Sequence, residues 1–208
     1  MKSFKKKLIV LLLVIATTFT SGTSHVLANS TYDEIYRNLV LLSSACRNYG
    51  YTNTAVCLDN AIVSYYGGSN GDLFFGSGTS FSNLVKVSSE YQSIRQQAIN
   101  IAKGNRSLSY FTFSGSIALN SNTDLYLSLH NVSYNVTVQK MDSSSNYYLN
   151  ITFNDYYDFA PAKWESYGGN PKSLITTYIV NYAYQAQCVN IIDPYYIYIS
   201  TSDNFYIQ

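Results

Sequence analysis

The sequence predicts an α+β protein, because helical and strand periodicities occupy separate stretches of the chain. Before Gly104, apolar residues recur three or four positions apart, which is the spacing of amphipathic helices. After Gly104, apolar and polar residues alternate, which is the spacing of half-buried strands. One more helical stretch and one apolar β run follow. Helices that precede strands, instead of alternating with them, indicate an α+β class.

The first 28 residues predict a secretory signal peptide. Four lysines precede a short apolar run, and Val26 and Ala28 are small residues at the positions that a signal peptidase reads. The run is shorter than the roughly 20 residues that span a bilayer, which favours a cleaved signal over a retained membrane anchor. We therefore expect a secreted, extracellular or cell-surface protein of residues 29–208, without stable membrane insertion after cleavage.

Charge and composition narrow the classes of partner. The chain has 13 basic and 12 acidic residues, and the signal contains four of the basic ones, so the mature net charge is 9 − 12 = −3. A nucleic-acid partner is not expected, because phosphate binding needs a basic face. Polarity comes instead from Ser, Asn, Thr and 22 tyrosines. These tyrosines are typical of strands that pack cross-strand pairs; the alternative is a stacking platform for sugars or a protein partner.

The N-terminal region, residues 29–104, is predicted to be helical. Residues 31–48 and 52–66 have helical spacing on either side of a break at Gly50, which predicts a helical hairpin. Residues 67–80 form a Gly/Ser-rich stretch that indicates a loop. A third helix is predicted from Phe81 to Lys103, with Ser82 as its N-cap and an end at Gly104.

The C-terminal region, residues 105–208, is predicted to be an antiparallel sheet with one packed helix, and residues 29–208 to be one folding unit. The strands of this meander are expected in residues 108–119, 124–141 and 147–153, with one face buried. A helix is expected over residues 173–189. The run at residues 195–200 then predicts an edge or central strand.

Three cysteines remain in the mature chain. Cys46 and Cys57 flank the turn of the predicted hairpin, and a disulfide there would stabilise the protein by about 2–3 kcal/mol. Cys188 is left over and is expected to act as a small buried residue. A nucleophilic role would need a base such as His130, the only histidine of the mature chain.

The stretch NDYYDFAPAKW, Asn154–Trp164, contains the candidate reactive groups. If the strand persists, Asp155 and Tyr157 share a face and Asp158 points away; if a turn begins, all three can converge. Capping of turn amides is the favoured interpretation. The alternatives are cation binding or a division of acid and base roles. No Cys or His spacing indicates a metal site, and no cofactor is expected.

The D-x-Y-D spacing resembles the acidic motif of the colicin M family, toxins that hydrolyse the lipid-linked peptidoglycan precursor on an α+β domain. Asp155, Tyr157 and Asp158 match that motif. The family's following His-Arg pair is absent, since Trp164 and Glu165 stand in that neighbourhood. The resemblance implies a hydrolase in which His130 would have to replace the missing cationic groups.

The helical leader followed by TDLY, YDF and DPYYIYI is also similar to uncharacterised secreted, toxin-like proteins of Gram-positive bacteria, which implies an extracellular role. The incomplete catalytic set favours a non-enzymatic recognition protein that contacts cell-wall glycan or an extracellular protein through a Tyr-rich surface. Tyr156 and Trp164 are its expected binding residues. The alternatives are an antibacterial toxin acting on a cell-envelope substrate, with Asp155, Tyr157, Asp158 and His130 as catalytic residues, and a structural matrix or coat protein.

Overall fold

The computed structural model describes residues 31–62, 70–129, 131–141, 145–159 and 182–207. It contains helices and a five-stranded sheet, and helices precede the meander as predicted, so the α+β class is confirmed. The described residues form two compact units. The first unit contains the described residues within Met1–Gly71 and Asp158–Tyr195. The second contains the described residues within Asp72–Tyr157 and Tyr196–Gln208.

The first unit contains the predicted helical hairpin, formed by α1 (Thr31–Asn48) and α2 (Thr52–Ile62). Gly50 lies between them with φ +82°, a conformation that glycine adopts without steric cost. The N–H of Gly50 donates to the carbonyl of Arg47 at 2.9 Å, and the N–H of Tyr51 donates to the carbonyl of Cys46 at 2.8 Å. This pair of bonds is a Schellman motif, which ends a helix and satisfies its last carbonyls.

The expected disulfide between Cys46 and Cys57 is not formed in the structure. Both side chains are buried, at 1% and 0% exposure, where a cysteine packs like a small apolar residue. The hairpin is held instead by its hydrogen-bonded turn and by an ion pair between Arg47 and Asp59. Cys188 is exposed, so its predicted buried role is wrong: it lies on the solvent side of the helical segment 182–188.

Two side chains connect the C-terminal part of the first unit to the hairpin. The Tyr195 hydroxyl donates to the carbonyl of Cys57 at 2.6 Å. The Asn70 amide donates to the carbonyls of Ala61 and Asp193, each at 3.0 Å. Two backbone carbonyls of α2 therefore receive side-chain partners from outside the helix.

The second unit contains the sheet, with the strand order β1-β5-β4-β3-β2. β2 with β3 and β3 with β4 pair antiparallel, as the meander predicted, and β1 pairs parallel with β5. β1 lies inside the stretch that was predicted to be a loop. The last strand, β5, was predicted to be either an edge strand or a central strand; it is central, between β1 and β4. The strands are β1 (Leu73–Phe75), β2 (Tyr110–Ala118), β3 (Asn131–Lys140), β4 (Asn146–Tyr157) and β5 (Tyr195–Tyr206).

The predicted third helix is divided into α3 (Ser80–Lys86) and α4 (Ser89–Gly104). The division occurs because Ser88 adopts extended backbone angles and its hydroxyl accepts a 3.1 Å hydrogen bond from the N–H of Tyr91, which caps a new helix. Ser82 is not the N-cap of α3; Thr79 caps that helix by accepting from the N–H of Ser82. The predicted end at Gly104 is confirmed.

A short helix, α5 (Thr123–Ser128), replaces the first part of a predicted strand. Its N-cap is Asn122, whose side-chain oxygen accepts from the N–H groups of Asp124 and Leu125 at 2.8 and 3.2 Å. Leu125 and Leu129 are buried one helical turn apart, although the alternation of leucines in this stretch also fits a strand. β3 begins at Asn131.

The two faces of the sheet differ in burial, and we name them the inner face and the open face. Most side chains of the inner face are buried in β3, β4 and β5, and α4 lies on this side: the Nε atom of Arg95 is 2.7 Å from a carboxylate oxygen of Asp203. Tyr147 and Phe205 stack there with ring centroids 5.3 Å apart. The most buried apolar strand residues of the inner face are Val132, Val136, Val138, Leu149, Ile151, Phe153, Ile197 and Ile199.

Candidate functional site

The open face of the sheet contains no charged residue at any outward position of the five described strands. Alternation along each strand separates these positions from the inner face. Towards β2 the open face consists of hydroxyl and amide side chains, such as Ser133, Asn135, Thr137, Asn150, Thr152 and Asn154. These groups donate and accept hydrogen bonds without carrying a charge, so the face offers specific contacts to a neutral ligand.

Four aromatic rings form a continuous chain across the other end of the open face, and we name them the aromatic strip. Phe74 and Tyr198 stack with centroids 4.9 Å apart and an interplanar angle of 11°. Tyr198 and Tyr196 are 5.9 Å apart at 26°, and Tyr196 and Tyr156 are 4.8 Å apart at 47°. The strip therefore joins β1, β5 and β4.

The strand pattern explains why these rings point outward. In β5 the isoleucines Ile197 and Ile199 are buried, so the intervening Tyr198 and the preceding Tyr196 face the opposite side. Phe74 pairs with Tyr198 in the parallel register of β1 and β5, and this pairing places the two rings face to face. In β4, Tyr157 is buried, so the adjacent Tyr156 points to the open face.

Three rings of the aromatic strip are exposed to solvent, and the fourth, Tyr198, is half-buried. Phe74 is 72% exposed, Tyr156 is 48% exposed and Tyr196 is 46% exposed. Large aromatic side chains that remain exposed side by side on one face mark an interaction surface more often than singly scattered ones. Because their ring faces are apolar and the tyrosine hydroxyls are polar, they suit a ligand with both apolar C–H surfaces and hydroxyl groups.

Charged groups of the second unit lie on the helices, in the loops or on the inner face. Glu90 of α4 accepts from the N–H groups of Asn120 and Ser121 at 2.8 Å each. Partial burial acts to raise the pKa of Glu90, and its hydrogen bonds, above all with Ser121, outweigh this effect and lower the pKa below its usual value. These charges therefore stabilise the fold and leave the open face neutral.

Tyr156, predicted to be a binding residue, is part of the aromatic strip. The other predicted binding residue, Trp164, lies outside the described residues, as does His130. Asp155 and Tyr157 share the inner face of β4, which ends at Tyr157. Of the two predicted geometries, a continuing strand and a turn, the strand is therefore observed for these two residues. Asp158 follows the strand and is exposed.

The catalytic role of these residues stays a prediction. Tyr157 is 7% exposed, so its phenol is nearly inaccessible from solvent. Among the described residues no group of three or more His, Cys, Asp or Glu side chains could hold a metal ion. Asp155 and Tyr157 therefore lie on the inner face of the sheet. Tyr156, which lies between these two residues in the chain, points to the open face.

Sequence reasoning missed three of the four rings of the aromatic strip. Phe74 stood in an apparent loop, where only the apolar run LFF distinguished it from the surrounding Gly and Ser residues. Tyr196 and Tyr198 were assigned to a strand, and their alternation with isoleucine is the signal that separates the outward positions from the buried ones. The convergence of the three strands required the strand order.

Comparison with protein-family models, with curated proteins and with solved structures finds no match for this chain. In the part of the chain that the structure describes, no helix combines the length and the apolar character needed to cross a membrane.

Proposed function

We propose that this protein is an extracellular, non-enzymatic recognition protein that binds an uncharged polysaccharide through the aromatic strip. The observation that carries this proposal is the placement of four neighbouring rings, Phe74, Tyr198, Tyr196 and Tyr156, on a sheet face without charges. A sugar ring presents C–H groups on its faces and hydroxyls at its edges. The rings of the strip would stack on the C–H faces of the sugar, and the Asn, Ser and Thr side chains would hydrogen-bond to its hydroxyls.

The absence of charge distinguishes this ligand class from others. An anionic polymer or a nucleic acid needs cations to offset its charge, and the described strands offer none on the open face. Protein interfaces are enriched in Tyr, Trp, Phe, Met and Arg, and the open face of the described strands has tyrosine and phenylalanine but no Met, Arg or Trp. A neutral polysaccharide, including the glycan part of a cell wall, is the ligand that this combination favours.

The direct test is depletion of the protein from solution by insoluble polysaccharides. We expect retention on at least one of the neutral polymers cellulose and chitin, and no retention on polygalacturonate, which is anionic. Purified peptidoglycan is included as the cell-wall sample, although its stem peptides carry charged groups. Binding should change little between about 0.05 and 0.5 M NaCl, because screening weakens only charge–charge attraction. No retention on any of the neutral polymers would contradict the proposal.

A pair of variants tests the position of the site. Tyr196→Ala removes the ring that contacts both Tyr198 and Tyr156, and we expect at least about a tenfold loss of affinity, as for a central contact residue. Tyr206→Ala is the matched control, because Tyr206 is on the same strand and face and is 65% exposed, but lies at the other end of β5. Equal loss in both variants would place the site elsewhere. Circular dichroism should show that both variants remain folded.

A further inference from the structure

In the part of the chain that the structure describes, the outer edge of β2 is a sheet edge whose own residues lack the usual protection against pairing. β2 is the last strand in the sheet order, and it pairs with β3 without interruption from Tyr110 to Ala118. No other strand in the described part of the chain pairs with it. Natural edges are protected by charged residues, proline, bulges or shortness. The nine residues YFTFSGSIA contain no charge and no proline, and their register contains no bulge.

The opposite edge of the sheet is different, and the difference is informative. β1 has only three residues, and a very short edge strand offers too few hydrogen bonds for stable pairing. The sheet therefore has one protected edge and one edge that is long enough to accept another strand.

The inner face is incompletely covered at β2. Phe111, Phe113 and Ile117 point to this face and are only half-buried, whereas Val136 and Val138 of the adjacent β3 are 1% and 0% exposed. A strand added beyond β2 would remove these three apolar side chains from water, in addition to satisfying the backbone groups of the edge.

We infer that a second copy of this chain pairs with β2, antiparallel and around a two-fold axis at Ser114. An axis perpendicular to the sheet brings identical strands together in opposite directions and keeps inner face beside inner face. In this register Ser114 lies opposite Ser114 of the partner subunit, and Phe111 lies opposite Ile117 of the partner subunit. The result is one continuous sheet of ten strands.

Charge favours a second copy as the occupant. Identical strands usually repel each other when they carry charges, because equal charges meet near the axis; β2 carries none, so no charge repulsion opposes self-pairing. The pairing is also closed, since each copy uses its β2 edge and only the short β1 edges remain. The dimer would present two aromatic strips at the two ends of one charge-free face, which is an arrangement suited to multivalent binding of a polymer.

Analytical ultracentrifugation of protein produced from the full-length sequence tests this dimer. We expect a monomer–dimer equilibrium between micromolar and submillimolar concentrations. Hydrogen exchange should show protection that rises with concentration in residues 110–118. A monomer throughout this range would overturn the inference, and so would open-ended assembly beyond the dimer.

Charge variants at the axis test the register. Ser114→Lys places two ammonium groups opposite each other, and we expect dissociation to become at least tenfold more favourable. The control is Asn135→Lys, because Asn135 is the cross-strand neighbour of Ser114 on β3, points to the same face and is exposed, but lies away from the edge.

A mixture of Ser114→Lys and Ser114→Glu chains provides a rescue, since opposite charges at the axis should restore a heterodimer. Heterodimer formation supports the register at Ser114. If the Ser114→Lys variant dimerises as well as the parent chain, or if Asn135→Lys disrupts the dimer equally, the pairing does not use the edge of β2.

Discussion

Ile151 and Thr152 are consecutive residues of β4 that point to opposite faces of one sheet, and they represent two different uses of the same strands. Around Ile151, aliphatic and aromatic side chains are buried beneath α4, and charges appear there only with partners, as in the pair of Arg95 and Asp203. Around Thr152 the side chains are neutral, polar and accessible. The comparison shows that the low charge of this protein is unevenly distributed, since the open face has none.

The largest effect is expected from a change on the inner face. Ile151→Ala should lower the free energy of unfolding by about 2–5 kcal/mol, because it removes buried surface and leaves a cavity. Thr152→Ala, the adjacent residue on the open face, should change it by less than about 0.5 kcal/mol. Urea unfolding followed by circular dichroism measures both. Similar losses in the two variants would mean that the open face is as tightly packed as the inner one.

A second effect concerns Gly115, where the inner face has no room for a side chain. A Cβ atom at this position would lie 2.5 Å from the hydroxyl oxygen of Tyr134, its cross-strand partner. We expect Gly115→Ala to destabilise the protein by about 1–3 kcal/mol, the usual cost of overpacking. The cost should shrink when Tyr134→Leu is introduced in the same chain. Additivity of the two changes in urea unfolding would refute this steric explanation.

A smaller effect is expected from the ion pair on the inner side of the sheet. Arg95→Met removes the 2.7 Å contact with Asp203 and should cost about 1 kcal/mol or less, because the pair is only partly shielded from water. The loss should decrease at high salt. Lys103→Met, an exposed position on the same helix, serves as the control. A loss that does not depend on salt would assign the effect to packing of the arginine stem.

Tyr91→Phe should have almost no effect at neutral pH and a measurable one in alkali. Burial, with an added contribution from the negative charge of Asp203, raises the pKa of Tyr91 to about 12. Because this value exceeds the 10.0 of an ordinary tyrosine, the contribution of the neutral Tyr91 phenol to the free energy of unfolding is fully present below about pH 10 and is lost as the pH rises towards 12.

Tyr91→Phe lacks this titration, so its stability should fall less over that interval than the stability of the parent chain. Urea unfolding at pH 8, 10 and 11 compares the two proteins, and ionisation of the other tyrosines cancels in the difference. Parallel curves for parent and variant would show that the Tyr91 phenol does not control the alkaline limit.

Elements defined by local periodicity were predictable from the sequence. The hairpin of α1 and α2, the end of α4 at Gly104 and the alternation of β3 and β4 follow from spacing and from end signals. The errors arose where a short local signal, such as a capping residue, competed with a longer pattern of alternating residues. Leucine alternation suggested a strand at α5, but the cap formed by Asn122 establishes a helix there.

Features that depend on distant pairing were beyond local reasoning. β1 is three residues long and pairs with Ile197 and its neighbours, more than a hundred residues later, so its pattern alone resembles a loop. The aromatic strip has the same origin: Tyr156 could be selected from its position near a strand end, but its ring neighbours belong to β5, and the adjacency of those strands is a property of the whole sheet.

The position of β5 has a consequence for how the protein matures. β5 is the only described strand that pairs with β1, and it also borders β4, so the sheet remains divided until the chain around residues 195–206 arrives. Pairing over such sequence distances is slow compared with helix formation. Proteolytic loss of that single strand would separate Phe74 from Tyr156 and divide the aromatic strip. If the proposed sugar binding holds, retention on the polymer would report the completion of folding as well as recognition.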